Sequence, residues 1–170
     1  MPGYETMIPL AVENPRVVVA RTFSKAFGMA GLRIGYAIGH RDSIAKLRAW
    51  DADGAINVLG LSAARAALTQ DPNILKNESK RNTEARAFTA KWFKDHGYTP
   101  TDSQTNFLFV DIKRPARGFR EACAKQNILV GRDFPPYEKS HCRISISTME
   151  DMQKAVKVFE AALAVPAQAA

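Results

Sequence analysis

A lysine placed just past a β-branched apolar run constrains this chain more than any other feature. Arg16-Val17-Val18-Val19-Ala20 predicts a buried strand. Thr22-Phe23-Ser24-Lys25 follows it, with Gly28, Gly31, Arg33, Gly35 and Tyr36 close behind. A lysine delivered off the end of such a strand sits among apolar neighbours. Partly withdrawn from water, an ammonium group loses its proton readily and becomes a nucleophile toward carbonyls. Thr22 and Ser24 can donate hydroxyl hydrogen bonds to phosphate oxygens, and Arg33 can grip the same group bidentately. Gly28 and Gly31 permit positive φ or close backbone approach in the turn between them.

An imine-forming lysine beside a phosphate clamp is what pyridoxal phosphate requires. The run from Arg21 to Tyr36, RTFSKAFGMAGLRIGY, resembles the cofactor-lysine segment of fold-type I pyridoxal-phosphate-dependent aminotransferases, in the histidinol-phosphate aminotransferase-like branch. Order, spacing and flanking strand all agree with that family. The resemblance implies that Lys25 holds the cofactor as a Schiff base and later moves a proton at the substrate carbon. It implies that Ser24 and Arg33, with Thr22, bind the cofactor phosphate. Arg143, in Cys142-Arg143-Ile144-Ser145-Ile146-Ser147, falls where the family binds the substrate's anionic group. A planar guanidinium there would fix one end of the substrate so that its amine meets the reacting carbon. Arg132, in Val130-Gly131-Arg132-Asp133-Phe134-Pro135-Pro136, matches an arginine that helps bind a substrate phosphate, although Phe134-Pro135-Pro136 departs from that branch's usual loop. An Arg132-Asp133 surface pair is the other reading of that position.

The same resemblance implies an α/β fold. It would be the C-terminal part of a fold-type I enzyme, with a remnant of the large-domain sheet at 1–70 and the small α/β C-terminal domain at 71–170. A substrate would sit where the two meet. The family's carboxylate for the pyridine nitrogen, its stacked ring and its first phosphate-binding turn have no counterpart between Met1 and Ala20, so the chain alone should be a poor catalyst. The implied activity is an aminotransferase of class I/II, of histidinol-phosphate or aromatic amino-acid type, passing an amino group to a 2-oxo acid. Its substrates would be a small amino acid or amino phosphate and that 2-oxo acid, and the complete enzyme would be a cytoplasmic homodimer. A decarboxylase or lyase on the same fold is the alternative, since the bond broken depends on how substrate is held. A non-catalytic remnant serving as an oligomerisation partner is the third.

Composition narrows the classes further. The chain carries 24 lysines and arginines against 17 acids, a formal net charge of +7. Such a balance raises nucleic acid as a partner. The charges, however, are interspersed with acids along helix faces, as from Lys76 to Arg86, with no like-charge block and no aromatic interleaving. No nucleic-acid partner is expected. No run approaches the ~18 apolar residues of a membrane span, and no basic-then-apolar leader is visible at the start. Cys123 and Cys142, without CxxC spacing, read as reduced thiols. His40, His96 and His141 are scattered and predict no metal site.

Periodicity and punctuation predict the remaining elements. A second strand is expected over 32–38. A helix over 44–50, capped by Asp42 or Ser43, should be followed by a turn at Asp53-Gly54 and a helix over 57–68. Asp71-Pro72 should cap and open a long helix that stops at Gly97. Strands are expected over 106–111, 128–130 and 142–147, and a helix over 119–125. Thr148 with Asp151 should form a capping box for a last helix burying Met152, Val156, Phe159 and Leu163, and the tail from Val165 should fray. Tyr36 and Asn106 read as packing and backbone-capping residues.

Overall fold

The computed structural model describes residues 3–50 and 56–164. The turn expected at Asp53-Gly54 and the tail from Val165 lie outside the described residues. The chain divides into two compact units, 1–78 and 79–170, whereas the seam expected from the sequence lies near residue 70.

In the first unit, helix α1 (Ile8–Glu13) precedes strands β1 (Val18–Thr22) and β2 (Gly35–Gly39). These two pair antiparallel, from Val18 opposite Gly39 to Thr22 opposite Gly35. Gly35 is required at that end, because a Cβ there would lie 2.6 Å from the Arg21 carbonyl oxygen. Both strands start later than expected. Val17 N–H closes a turn onto Asn14 O at 3.0 Å. Ala30–Leu32 forms a 3-10 turn, and Arg33 then takes a left-handed conformation. The strand expected to be buried is largely exposed, because a two-stranded ribbon has only one ladder and little to cover its faces. Helices α2 (Arg41–Arg48) and α3 (Val58–Gln70) complete the unit. His40, rather than Asp42 or Ser43, caps α2 through Nδ1, which accepts Asp42 N–H at 3.3 Å. Ser43 is diverted to the Pro15 carbonyl, to which its hydroxyl donates at 2.5 Å. Large apolar side chains stay in water here, with Trp50 92% exposed and Val58 and Leu59 each 75%.

Helix α4 (Ile74–Asp95) runs into the second unit. Asp71 does not cap it directly. Its Oδ1 accepts Asn73 N–H at 2.8 Å in an Asx turn, and Pro72 lies ahead of the first helical residue. The expected stop at Gly97 is present, with φ of +80°. Tyr98 N–H reaches Phe93 O at 2.9 Å and Gly97 N–H reaches Lys94 O at 3.0 Å, a Schellman close. Strands β3 (Thr99–Pro100), β4 (Phe107–Asp111) and β5 (His141–Ser145) form an antiparallel sheet in the order β3-β4-β5. Leu108, Val110, Cys142 and Ile144 alternate inward and meet α5 (Ala116–Ala124) and α6 (Met149–Ala164) in one core. The rings of Phe93 and Phe119 each lie 5.6 Å from that of Phe159. Met152, Val156 and Leu163 are buried as their helical spacing requires.

The strand expected over 128–130 is absent. Ile128 N–H is tied back to Cys123 O at 3.1 Å and Asn127 sits at φ 60°. The segment therefore leaves α5 in a turn. It touches β5 through one bond, Gly131 N–H to Arg143 O at 2.8 Å, and a Cβ at Gly131 would lie 2.7 Å from that oxygen. At α6, Thr148 Oγ1 accepts Asp151 N–H at 3.1 Å and Ser147 Oγ donates to Asp151 Oδ2 at 2.6 Å. The Ser147 hydroxyl first, and then Thr148, hold the Asp151 carboxyl below the usual range.

These two environments should differ in protection. Native-state hydrogen exchange on the monomeric chain should show β1 and β2 amides exchanging well before those of β4 and β5. Equal protection of the two sheets would contradict the ribbon's exposure.

Candidate functional site

Residues 23–34 connect β1 to β2, and the pairing of Thr22 with Gly35 closes this connection at its base. Its anchor is Phe23, 3% exposed, whose ring lies 4.9 Å from Phe27 and 5.7 Å from Tyr36. Phe23 N–H donates to Ile34 O at 3.2 Å, Met29 N–H to Phe23 O at 3.0 Å and Gly28 N–H to Lys25 O at 2.9 Å. The backbone of the turn is thus bonded to itself and leaves its polar side chains outward. Thr22 Oγ1 donates to Ser24 Oγ at 2.9 Å and accepts Ser24 N–H at 3.1 Å. This joins the two hydroxyls as a pair. Lys25 follows on the same turn and is exposed. That corrects the expectation of a lysine partly withdrawn from water: within the described residues no layer covers the turn, because Phe23 takes the inward position.

Arg33 closes the connection at φ 50° and ψ 48°, a left-handed conformation that a side chain disfavours. Its Nη1 donates to Ala30 O at 2.7 Å. Gly28, at φ +66°, takes the other left-handed position, where glycine carries no penalty. The turn has a further support that local sequence patterns did not indicate. Asn57, the cap of α3, donates from Nδ2 to Leu32 O at 2.8 Å while its Oδ1 accepts Gly60 N–H at 2.5 Å. No periodicity signals a contact between residues 25 positions apart.

The second unit holds the other two arginines together. Alternation along β5 sends Cys142 and Ile144 inward, so Arg143 projects from the opposite face. It pairs in register with Phe109. Its Cζ lies 4.4 Å from the centre of the Phe107 ring and 5.9 Å from that of Phe134. Arg132 Cζ lies 4.6 Å from the same Phe134 ring. The two guanidinium groups therefore share one aromatic side chain. Arg143 Nε is buried without a hydrogen-bond partner, and ring faces take the place of a carboxylate beside its charge. The alternative Arg132-Asp133 side-chain pair is not formed. Asp133 binds Arg120 at 2.5 Å, and Arg132 reaches only the Asp133 backbone oxygen at 3.4 Å. Of the rings beside these arginines, β alternation alone could have suggested Phe107 but not Phe134.

Tyr36 packs on Phe23, as expected, and Asn106 accepts Ile146 N–H through its backbone oxygen at 2.9 Å. Cys123 and Cys142 are free and buried. Burial pushes each thiol up to about 12, so both stay protonated and serve as core rather than as nucleophiles. Among the described residues no helix is long and apolar enough to cross a membrane.

Comparison with known proteins places this geometry. The family "Aminotransferase class I and II" matches residues 2–159. The histidinol-phosphate aminotransferase of Brevibacillus brevis is 34% identical over 163 residues, which is 94% of this chain and 43% of that protein. Histidinol-phosphate aminotransferase 2 of Methylococcus capsulatus is 35% identical over 152 residues, 89% of this chain and 39% of the relative. The crystal structure of the Sinorhizobium meliloti histidinol-phosphate aminotransferase in complex with pyridoxal-5'-phosphate superposes with a TM-score of 0.81 at 27% identity. It covers 92% of this chain, which covers 43% of it. The chain thus spans about 40% of the length of the relatives it matches. The fold is the α/β fold of these aminotransferase structures over part of their length.

The buried thiols have a consequence at alkaline pH. Their folded values stand near 12 against an ordinary 9.0, so the unfolded chain releases these protons first. The thiols' contribution is complete below pH 9 and falls away as pH rises toward 12. Thermal unfolding followed from pH 8 to 11 should show a steeper loss of stability for the wild-type chain than for Cys142→Ala. Parallel slopes would show that the thiols do not contribute.

Proposed function

The chain belongs to the class I and II aminotransferase family, and from that premise we propose that it carries the cofactor lysine and the substrate-anion site of a pyridoxal-phosphate-dependent transaminase. The observation that carries this reading is the 23–34 connection. It puts an exposed amine (Lys25), a bonded hydroxyl pair (Thr22 and Ser24) and a strained arginine (Arg33) on one hairpin loop. This donor set fits the cofactor. Two hydroxyls and a guanidinium that forms no carboxylate pair among the described residues suit a phosphate dianion, and a primary amine suits an aldehyde. When bound, the cofactor supplies an electron-withdrawing ring that stabilises negative charge on the substrate carbon.

Each residue then has a part of its own. Ser24, Thr22 and Arg33 hold the phosphate and so set the position of the carbonyl end relative to Lys25. Lys25 Nζ would hold the cofactor's aldehyde carbon. As a free amine, its lone pair would take the proton from the substrate Cα as a general base. Arg143 binds the anionic end of the amino donor, and the faces of Phe107 and Phe134 keep its guanidinium from collapsing onto a protein carboxylate. Arg132, beside the same Phe134 ring, extends this positive surface toward a donor with a phosphate group. The amino donor is thus an amino phosphate such as histidinol phosphate, or an amino acid, and the acceptor is a 2-oxo acid. Residues 1–70 serve the cofactor and 71–170 the substrate's anionic end.

Two measurements test the reading in the longest gene product that contains this chain. Borohydride treatment with pyridoxal phosphate should leave a reduced adduct that mass spectrometry places on Lys25, absent in Lys25→Ala. An adduct on another lysine would refute the assignment. Arg143→Ala should raise KM for the amino donor about tenfold or more, the loss of a charge-assisted contact of roughly 1.5–3 kcal/mol, with cofactor absorbance unchanged. An unaltered KM across donors would leave Arg143 a structural residue.

A further inference from the structure

A side chain from a different element is hydrogen-bonded to the residue just before Arg33. The Arg33 backbone is left-handed, at φ 50° and ψ 48°, and such a conformation persists in a non-glycine residue only where surroundings over-determine it. One hydrogen bond within the turn, Arg33 Nη1 to Ala30 O, comes from the residue to be positioned. After Arg33, Phe23 N–H donates to Ile34 O at 3.2 Å; before it, a restraint from outside the hairpin is Asn57, whose Nδ2 donates to the carbonyl of Leu32. The amide's other end is fixed as well, since Oδ1 accepts Gly60 N–H at 2.5 Å. Gly60 itself is buried. A Cβ there would lie 2.8 Å from Asn57 Nδ2 and 2.9 Å from Oδ1, so the absence of a side chain makes room for the amide.

We propose that Asn57 is a positioning residue that sets Arg33 for phosphate binding, with Gly60 as the seat of its amide. The proposal rests on Arg33 being a phosphate ligand. Capping alone does not explain the asparagine. Serine or aspartate accepts the Gly60 N–H as well, but aspartate has no donor and serine has one oxygen on a shorter side chain, whereas the amide accepts that bond with one atom and donates to Leu32 O with another. The donor is what links the first turn of α3 to the Arg33 backbone.

The test separates the cap from the donor. Asn57→Ser keeps an oxygen for Gly60 N–H and removes the amide donor. Gly60→Ala disturbs the same amide from its other side. Affinities of the longest gene product containing this chain are measured for pyridoxal phosphate and for pyridoxal, which lacks the phosphate. Arg33→Ala should weaken pyridoxal phosphate about tenfold, as a charge-assisted contact is lost, and leave pyridoxal unchanged. Asn57→Ser and Gly60→Ala should each weaken pyridoxal phosphate about threefold or more, again without effect on pyridoxal. Asn57→Ser should add little to Arg33→Ala in the double variant, because both act through one contact. If Arg33→Ala abolishes the preference for the phosphorylated form while Asn57→Ser and Gly60→Ala retain it, Asn57 is a helix cap and the proposal fails alone. Equal weakening of both forms by Asn57→Ser also overturns it. If Arg33→Ala keeps the preference, the phosphate reading of Arg33 fails, and the proposal with it.

Discussion

The ring of Phe159 is the contact on which the second unit depends. Phe93 from α4 and Phe119 from α5 both pack on it, and Trp92 approaches its edge at 6.2 Å. Three helices are thereby fixed over one face of the β3-β4-β5 sheet. Burial of that face by Leu108, Val110, Cys142 and Ile144 leaves the other face of β4 and β5 to Phe107, Phe109 and Arg143. The position of Arg143 is a consequence of the core. A register slip that exposed Ile144 would bury Arg143, so hydrophobic burial and arginine placement are one constraint.

The first unit obeys a different balance. Its two strands bury little, and the loop between them keeps its shape through backbone bonds, one buried ring and a bond from Asn57. Such a loop can carry exposed polar groups because its backbone needs are met internally. Lys25, Ser24 and Thr22 are free to face a ligand. Trp50, Val58 and Leu59 are large apolar side chains that this unit leaves exposed. The chain matches about 40% of its relatives' length.

The two candidate binding regions share a chemical logic. Among the described residues neither arginine pairs with a carboxylate: Arg33 Nη1 donates to Ala30 O and Arg143 lies over aromatic faces. A guanidinium already neutralised by a near aspartate would bind an anion less strongly. Asp133 illustrates the contrast, since it sits beside Arg132 in the chain yet pairs with Arg120.

Much of this protein is legible along the chain. The helix of Met152, Val156, Phe159 and Leu163, the alternation of β4 and β5, and the stop at Gly97 follow from periods and backbone preferences that act within a few residues. The order of Thr22, Ser24, Lys25 and Arg33 is likewise local, and so is the loop that bears them. Two differences from expectation are local competitions that periodicity does not rank: Asp42 N–H found the imidazole of His40, and Ile128 N–H was claimed by Cys123 O at the end of α5. What only the tertiary structure decided is the exposure of β1 and of Lys25, the meeting of Arg143 with the Phe134 that Arg132 also reaches, and the reach of Asn57 to Leu32. Periodicity specifies which face of an element is apolar. Which side chain meets it, and whether anything covers it, depends on long-range burial that no local pattern encodes.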